Sequence, residues 1–386
     1  MGITKRLNWQ SIFIFLFLII FPFGQVIRIG LLQPIDLIVG LAAIYTIIKR
    51  LETPKAIKYL APFVIVAGFT WFFSIFIFKQ VSVLYGLLYL FRLAAYYYFG
   101  IYVWNFVKDK ADKIKLLLDS LLAVSVFAGI FGWIQFFTVP DIKPFFKMGW
   151  DMHLFRLVGT FLDPAFLGLI LVFGLILSIH RWIDNRNGKN ISNVLITAFL
   201  LISLAFTYSR ASYLAFITGI VVIIFLTKRL KKLILLVALL VLIAFLLPTA
   251  KNHSIELFRT FSALSRIDNY KTTLQIFSKS PVFGIGYNNM CIAYQKYIGE
   301  QSFSSHACSG SDSSLLMILA TTGVTGFMIF IFSIINIGLS LRRNTNFLFL
   351  SSSFLAMLTH SLFCNSMFYP WILGYLIILL AVNVKR

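Results

Sequence analysis

The sequence has 386 residues, of which 60% are hydrophobic and only 12% are charged. Soluble domains carry about 25% charged residues, and a soluble chain this apolar could not cover its core with polar surface. The net charge of +21 does not indicate nucleic-acid binding, because membrane proteins collect Lys and Arg in their cytoplasmic loops. The composition therefore predicts an integral membrane protein.

A membrane-spanning helix needs about 20 mostly apolar residues, and hydropathy along the chain indicates about twelve such helices. We predict an all-α fold in which residues 1–386 form one polytopic membrane domain, with 249–312 as a large periplasmic loop. Within that loop, 264–279 is compatible with a helix. The predicted spans are 10–27, 34–48, 61–78, 83–106, 114–137, 163–180, 191–208, 211–227, 233–248, 313–340, 346–366 and 369–384.

The distribution of basic residues predicts the orientation. With the N-terminus in the cytoplasm, 21 of the 34 Lys and Arg residues fall in inside segments, 12 fall outside and Arg92 falls within a span. Six of the outer twelve lie in the long loop 249–312, where the positive-inside rule carries little weight. Twelve spans with both termini in the cytoplasm satisfy the rule in every loop.

Four arginines lie on the outer face, where the rule disfavours them: Arg156, Arg210, Arg259 and Arg266. A single arginine at a membrane edge often just extends to the lipid headgroups. Several on one face, near turns that join spans, are better explained by a shared anion, because the guanidinium fork binds phosphate oxygens bidentately. These residues are candidate ligands of a phosphate or pyrophosphate.

The pair Asp163-Pro164 predicts the start of a helix, because Asp is a favoured N-cap and Pro is favoured at the first helical position. Residues 159–162 are then an irregular entry at the membrane edge. Asp163 is either a cap alone or part of an anion site, since a helix N-terminus beside Arg156 favours negative charge.

Asp312 and His306 are candidate general bases in the segment 305–326, SHACSGSDSSLLMILATTGVTG. Either could instead be structural, Asp312 as an N-cap and His306 as an inert loop residue. Gly323 and Gly326 follow inside the next span, where glycines allow close helix packing in lipid.

Four of these motifs occur together in the order and spacing of a known family. RLVGTFLDP, TYSRAS, SRIDNYKTTLQIFSKSPVFGIGYNN and DSSLLMILATTGVTG resemble the O-antigen ligase and polymerase superfamily over roughly 150–330. The resemblance implies a glycosyltransferase that uses a glycan linked to polyprenyl (undecaprenyl) pyrophosphate on the outer face of the bacterial inner membrane. Ligases of this kind transfer the glycan to lipid A-core, polymerases transfer it to another repeat unit, and other relatives to protein.

The resemblance also implies roles for single residues. Arg156, Arg210 and Arg266 match the family arginines thought to hold the donor pyrophosphate. Asp312 stands eleven residues before Gly323, where ligases carry their proposed histidine base. An acidic residue there favours a polymerase, in which Asp312 takes the proton of the acceptor hydroxyl; alternatively His306 has taken over this role.

The predicted function is therefore a surface-polysaccharide polymerase, with an O-antigen ligase as the first alternative. A transporter or flippase of lipid-linked sugars is a second alternative, although transporters place their charges near the bilayer midplane, where only Arg92 is visible. The expected partners are the lipid-linked donor, a glycan or lipid A-core acceptor, membrane lipid and a chain-length regulator, but no nucleic acid. No nucleotide motif and no Cys/His metal pattern is present, so neither a cofactor nor a metal is expected.

Cys291 and Cys308 both fall in the predicted periplasmic loop, and the bacterial periplasm is oxidising. We expect a disulfide between them that closes a loop of about 17 residues, which contributes roughly 3 kcal/mol in the chain-entropy model.

The orientation can be tested with reporter fusions. A fusion at Lys189 should report the cytoplasm and one at Gly299 the periplasm, because the bias in basic residues places these two positions on opposite sides. Alkaline phosphatase and a cytoplasmic fluorescent protein, each fused at both positions, measure this. The same compartment at both positions would contradict the topology.

Overall fold

The computed structural model describes residues 9–27, 33–79, 81–108, 110–148, 153–184, 191–228, 230–246, 260–299, 310–341 and 345–384. In these ranges the chain is helical and has no β-strand beyond two isolated bridges, which confirms the all-α prediction. The α-helices are α1 Trp9–Ile20, α2 Pro34–Ile48, α3 Lys55–Lys58, α4 Ala61–Phe78, α5 Leu84–Val107, α6 Ala111–Thr138, α7 Pro164–Asp184, α8 Ile191–Phe206, α9 Arg210–Thr227, α10 Leu230–Leu246, α11 Thr260–Ser278, α12 Met290–Tyr297, α13 Ser314–Ser340, α14 Thr345–His360 and α15 Pro370–Asn383.

Six helical segments in the described ranges are long and apolar enough to cross a membrane, and five shorter apolar helices accompany them. The count of twelve spans and the periplasmic position of 249–312 stay predictions. The helix predicted within that loop is confirmed as α11. The six long segments are Lys55–Phe78, Val81–Val107, Ala111–Thr138, Pro164–Trp182, Arg210–Thr227 and Ser314–Ser340.

The last three helices define the two ends of the bundle. At one end, the Ser314 amide at the start of α13 donates to the Ser361 carbonyl just after α14 (2.9 Å). At the other end, an isolated bridge pairs Leu341 with Val384 after α13 and α15. Helices α13, α14 and α15 therefore alternate in direction, and the starts of α13 and α15 share one end with the end of α14.

Helix α7 lies at the centre of the protein. Of its most apolar 18-residue stretch 83% is buried, against 17–44% in the other five long segments. It packs against α6, α8, α9 and α14. The residue that begins this helix is consequently surrounded by protein at one end of the bundle.

Helix α13 is broken at Gly323, whose backbone angles (φ 68°, ψ −174°) are not helical. A break within lipid leaves amides and carbonyls that must find partners in the protein. Residues 281–286 of the predicted outer loop supply them by lying against the break. Four backbone hydrogen bonds join the two segments: Ile285 to Ala320 (3.0 Å), Gly286 to Thr321 (3.0 Å), Val324 to Pro281 (2.9 Å) and Thr325 to Val282 (3.2 Å).

This arrangement corrects one expectation. Gly323 serves backbone conformation rather than packing between two regular helices, because a Cβ atom there would lie 2.2 Å from the Val282 carbonyl oxygen. Residues 281–286 contact α13 at the break, about nine residues after the helix begins.

Arg92 is paired rather than isolated within its span. Its Nε and Nη2 atoms donate to the two carboxylate oxygens of Asp36 at 2.9 and 2.5 Å. The side chains of Arg92 and Asp36 are only 17% and 9% exposed. A buried pair of this kind carries no net charge, in contrast to the lone midplane cation expected from the sequence.

We expect Gly323→Ala to lower the stability of the protein by at least about 1–3 kcal/mol, because alanine is strained at positive φ and its Cβ would overlap the Val282 carbonyl. Gly338→Ala in the same helix is the matched control. A Cβ there meets nothing within 4 Å, so this change should stabilise the helix by roughly 1 kcal/mol. Thermal unfolding of the purified protein in detergent compares them; equal melting temperatures would contradict the backbone role of Gly323.

Candidate functional site

Arg156 fastens the end of α8. It is 8% exposed, and its Nε and Nη2 atoms donate to the carbonyls of Thr207 and Tyr208, both at 3.0 Å. These carbonyls lie in the turn directly after α8, which ends at Phe206, and an arginine can satisfy carbonyls at a helix end. Its Nη1 atom lies 3.5 Å from His153 Nδ1. All three guanidinium nitrogens therefore contact protein groups, which limits this residue as a bidentate phosphate ligand.

Asp163 caps α7 as the sequence predicts. Its Oδ1 atom accepts from the amides of Ala165 (2.6 Å) and Phe166 (3.1 Å). The irregular entry before it is also confirmed: a short 3₁₀ turn covers Gly159–Phe161, and Leu162 has φ 56°. The carboxylate is half-buried.

Asp312 is not the cap of α13, because Ser313 has this role. The Ser313 hydroxyl accepts from the Leu316 amide (3.4 Å) and its backbone has the extended conformation of an N-cap. Asp312 is held through its own amide, which donates to Asn269 Oδ1 on α11 (2.9 Å). The Asp312 carboxylate is half-buried.

Helix α11 lies against the turn that joins α14 to α15, residues 361–369. The Tyr270 hydroxyl donates to the Leu362 carbonyl. The guanidinium of Arg266 lies over the Phe363 ring at 6.0 Å, within the range of a cation–π contact. Since Asn269 holds Asp312, α11 connects the start of α13 with this turn.

Cys364, in the same turn, is a buried thiol on which four of the charged residues discussed above act electrostatically. The positive charges of Arg266 and Arg156 and the negative charges of Asp163 and Asp312 all act on its thiol. Burial raises the pKa of Cys364 to about 12, with the two arginines opposing the shift and the two carboxylates adding to it. The thiol therefore stays protonated at neutral pH and marks the site without acting as a nucleophile.

The charges of Arg266 and Asp312 also act on the hydroxyl of Tyr270, on α11. Burial raises the pKa of its hydroxyl, while the charge of Arg266 lowers it and the charge of Asp312 raises it. Arg266 and Asp312 are therefore both within electrostatic reach of one side chain on α11. The two residues are neighbours in space although they are separated by 46 positions in the sequence.

Arg210 is the first residue of α9 and is half-buried. The Tyr208 carbonyl, two residues earlier, accepts from Arg156, and Ser212, two residues later, donates from its hydroxyl to the Ala165 carbonyl in the first turn of α7 (3.1 Å). Arg210 therefore lies at the same end of the bundle as Arg156 and Asp163.

Two predicted site residues, Arg259 and His306, lie outside the described residues. So does Cys308, the predicted disulfide partner. Cys291 is disulfide-bonded and Cys364 is free. In the described part of the chain no group of three or more His, Cys, Asp or Glu side chains could hold a metal ion.

The turn 361–369 is the part of the site that the sequence prediction missed. The span predicted at 346–366 ends at His360 instead, so Cys364 and its neighbours lie in the turn rather than in a helix. The sequence feature that indicates this turn is the polar group Cys364-Asn365-Ser366 before Pro370. The group is short, and the aromatic and aliphatic residues around it keep the mean hydropathy of the segment as high as that of a span.

Residues 195–331 match a protein-family model described as O-antigen ligase. This confirms the predicted resemblance to the O-antigen ligase and polymerase superfamily. The match runs from α8 into α13 and includes Arg210, Arg266 and Asp312. Arg156 and the turn 361–369 lie outside it. No curated protein matches the chain. The match and the apolar helices together support a bacterial membrane protein, and the matched family implies a lipid-linked glycan and an acceptor as substrates.

We expect Arg156→Lys to lower the stability of this enzyme by about 1–3 kcal/mol, because lysine cannot span two buried carbonyls and leaves at least one without a partner. Arg266→Lys is the control, since an ammonium can keep the cation–π contact with Phe363. Chemical or thermal unfolding in detergent measures both. If Arg156→Lys is no less stable than Arg266→Lys, Arg156 does not fasten the end of α8.

Proposed function

We propose that this enzyme is a polysaccharide polymerase that joins oligosaccharide repeat units linked to undecaprenyl pyrophosphate on the periplasmic face of the inner membrane. The observation that carries the proposal is the position of Asp312. Ser313 rather than Asp312 caps α13, Asp312 and Arg266 both act electrostatically on the Tyr270 hydroxyl, and Asp312 stands where the family's ligases carry a histidine.

The arginines support a donor with a pyrophosphate leaving group. Arg210 and Arg266 are the proposed direct ligands, because their guanidinium forks suit phosphate oxygens. Arg156 holds the neighbouring backbone and contributes positive charge, as its effect on Cys364 indicates. Arg259 remains a further proposed ligand. Preorganised cations stabilise charge that develops on a leaving group, so the proposed mechanism requires no metal.

The proposed reaction is a single displacement. An acceptor sugar hydroxyl attacks the anomeric carbon of the donor, and the bond from that carbon to the pyrophosphate oxygen breaks. Asp312 takes the hydroxyl proton as general base. The products are the elongated glycan and undecaprenyl pyrophosphate. The substrate supplies its own leaving group, which fits a periplasmic site without nucleotides.

Two other functions are alternatives to the polymerase. An O-antigen ligase that acts on lipid A-core or protein is favoured by the description of the matched family, and it becomes the better assignment if His306 is the base. A transporter or flippase is disfavoured, because Arg92 is paired with Asp36 and the other candidate charges gather at one end of the bundle.

The general base can be identified with two substitutions. Asp312→Asn should lower glycan transfer by about 2–4 orders of magnitude without loss of folded protein, since the cap of α13 is Ser313. His306→Ala should remain active. Chain length of the cell-surface glycan and transfer by purified enzyme, at equal protein level, measure both variants.

Asp268→Asn is the matched control for loss of a carboxylate on α11. Asp268 is 74% exposed and pairs only with Lys271 at 3.6 Å among the salt bridges of the described residues, so this change should be neutral. An active Asp312→Asn beside an inactive His306→Ala would move the base to His306 and favour the ligase.

A further inference from the structure

His360 is a buried titratable residue with no part in the proposed chemistry, and it lies beside the site. It ends α14 and is 0% exposed. Its Nδ1 atom lies 2.5 Å from the Ser366 hydroxyl, in the turn 361–369. Its Nε2 atom lies 3.3 Å from the Ser212 hydroxyl on α9. One imidazole therefore connects three segments of the chain.

The connection continues into α7. The Ser212 hydroxyl lies 3.1 Å from the Ala165 carbonyl, to which it donates. A Cβ atom at Gly168 would lie 2.3 Å from Ser212 Oγ, so a glycine at 168 is what allows α9 to approach α7 this closely. The local sequence is therefore adapted to place a hydroxyl between the imidazole and the first turn of α7.

The tautomer of His360 determines the directions of these hydrogen bonds. A hydroxyl carries one hydrogen, and the Ser212 oxygen also lies 2.8 Å from Ser209 Oγ. If Ser212 donates to Ala165, its oxygen accepts from Nε2–H of His360, and Nδ1 accepts from the Ser366 hydroxyl. A neutral imidazole with its hydrogen on Nε2 is therefore compatible with both contacts of the ring.

We propose that His360 is a positioning residue that fixes the relative geometry of three site elements: the start of α7 at Asp163, the start of α9 at Arg210, and the turn that carries Cys364. It touches neither substrate nor reacting atoms. This inference rests on the proposed function for its effect on transfer, but its effect on the turn is independent of any reaction.

Loss of His360 should lower the rate of glycan transfer because this rate depends on the alignment of the base and the cations with the substrate. A displacement of ~1 Å in a catalytic constellation can lower the rate by about 10²-fold. The leaving-group cations and the base stand on segments that are far apart in sequence. His360 bonds one of these segments, α9, to the turn 361–369, and α11 and the start of α13 are hydrogen-bonded to that turn. Loss of the imidazole frees the turn from α9 without removing any charge that binds substrate.

The test measures two quantities in the purified protein in detergent. One is kcat and KM for transfer from an undecaprenyl-pyrophosphate-linked repeat unit. The other is the rate at which N-ethylmaleimide labels Cys364, identified on its peptide by mass spectrometry with Cys364→Ser as the blank. His360→Ala should lower kcat by about 10²-fold with a smaller change in KM, and should label about tenfold faster because the turn is no longer held.

Conservative changes separate positioning from general loss of structure. His360→Asn, whose amide oxygen can accept from Ser366, should recover part of kcat and part of the slow labelling. Ser366→Ala, which removes one link only, should lie between wild type and His360→Ala. Adding Ser366→Ala to His360→Ala should change little further, because residues in one hydrogen-bond network are not additive.

His180→Ala is the matched control. This second buried histidine lies 16 residues after Pro164 on α7, toward the opposite end, and packs on Phe349; its loss should leave labelling and kcat unchanged. The proposal would be overturned if His360→Ala kept the wild-type labelling rate and kcat. It would also be overturned if His180→Ala lowered kcat and accelerated labelling as much as His360→Ala does. A wild-type protein without transfer activity, but with labelling that depends on His360, would refute the proposed function and leave the positioning role standing.

Discussion

Backbone groups that leave a helix near lipid must find hydrogen-bond partners inside the protein, and this requirement shapes the functional end of the bundle. Arg156 serves the carbonyls that end α8, Asp163 the amides that begin α7, and Asn269 the backbone before α13. Each partner comes from a polar side chain rather than from bulk water. The segments that carry these groups are thereby fastened to one another.

The site follows from this fastening. Arg266, Asp163, Asp312 and Arg156 reach the same thiol because the segments that bear them are bonded together around the turn 361–369. The alternation of two positive and two negative groups limits the cost of placing charge at a membrane edge, since nearby opposite charges stabilise one another.

Local chemistry explains what could be predicted from the sequence. The predicted start of α7 was correct, because Asp163 supplies the helix cap and Pro164 supplies a φ angle suited to the first helical position. Helix α11 and the all-α class were also correct, since composition and periodicity report them directly. The resemblance over 150–330 was confirmed for 195–331.

The errors have a different origin, because each depended on a partner distant in sequence. Gly323 was predicted to allow close helix packing, but its role is to break α13 where residues 281–286 supply the backbone hydrogen-bond partners. His360 was overlooked because its role exists only when α9 and the turn 361–369 are brought to either side of the ring.

The burial of α7 has a consequence for the bilayer around the enzyme. A helix that faces lipid adjusts its tilt when the hydrocarbon thickness changes, whereas the tilt of an enclosed helix is set by its neighbours. With 83% of its apolar stretch buried, α7 contacts little lipid, so hydrophobic mismatch acts mainly on the outer helices. Asp163 at its start should keep its depth relative to Arg156 and the turn 361–369 in thin and thick membranes alike.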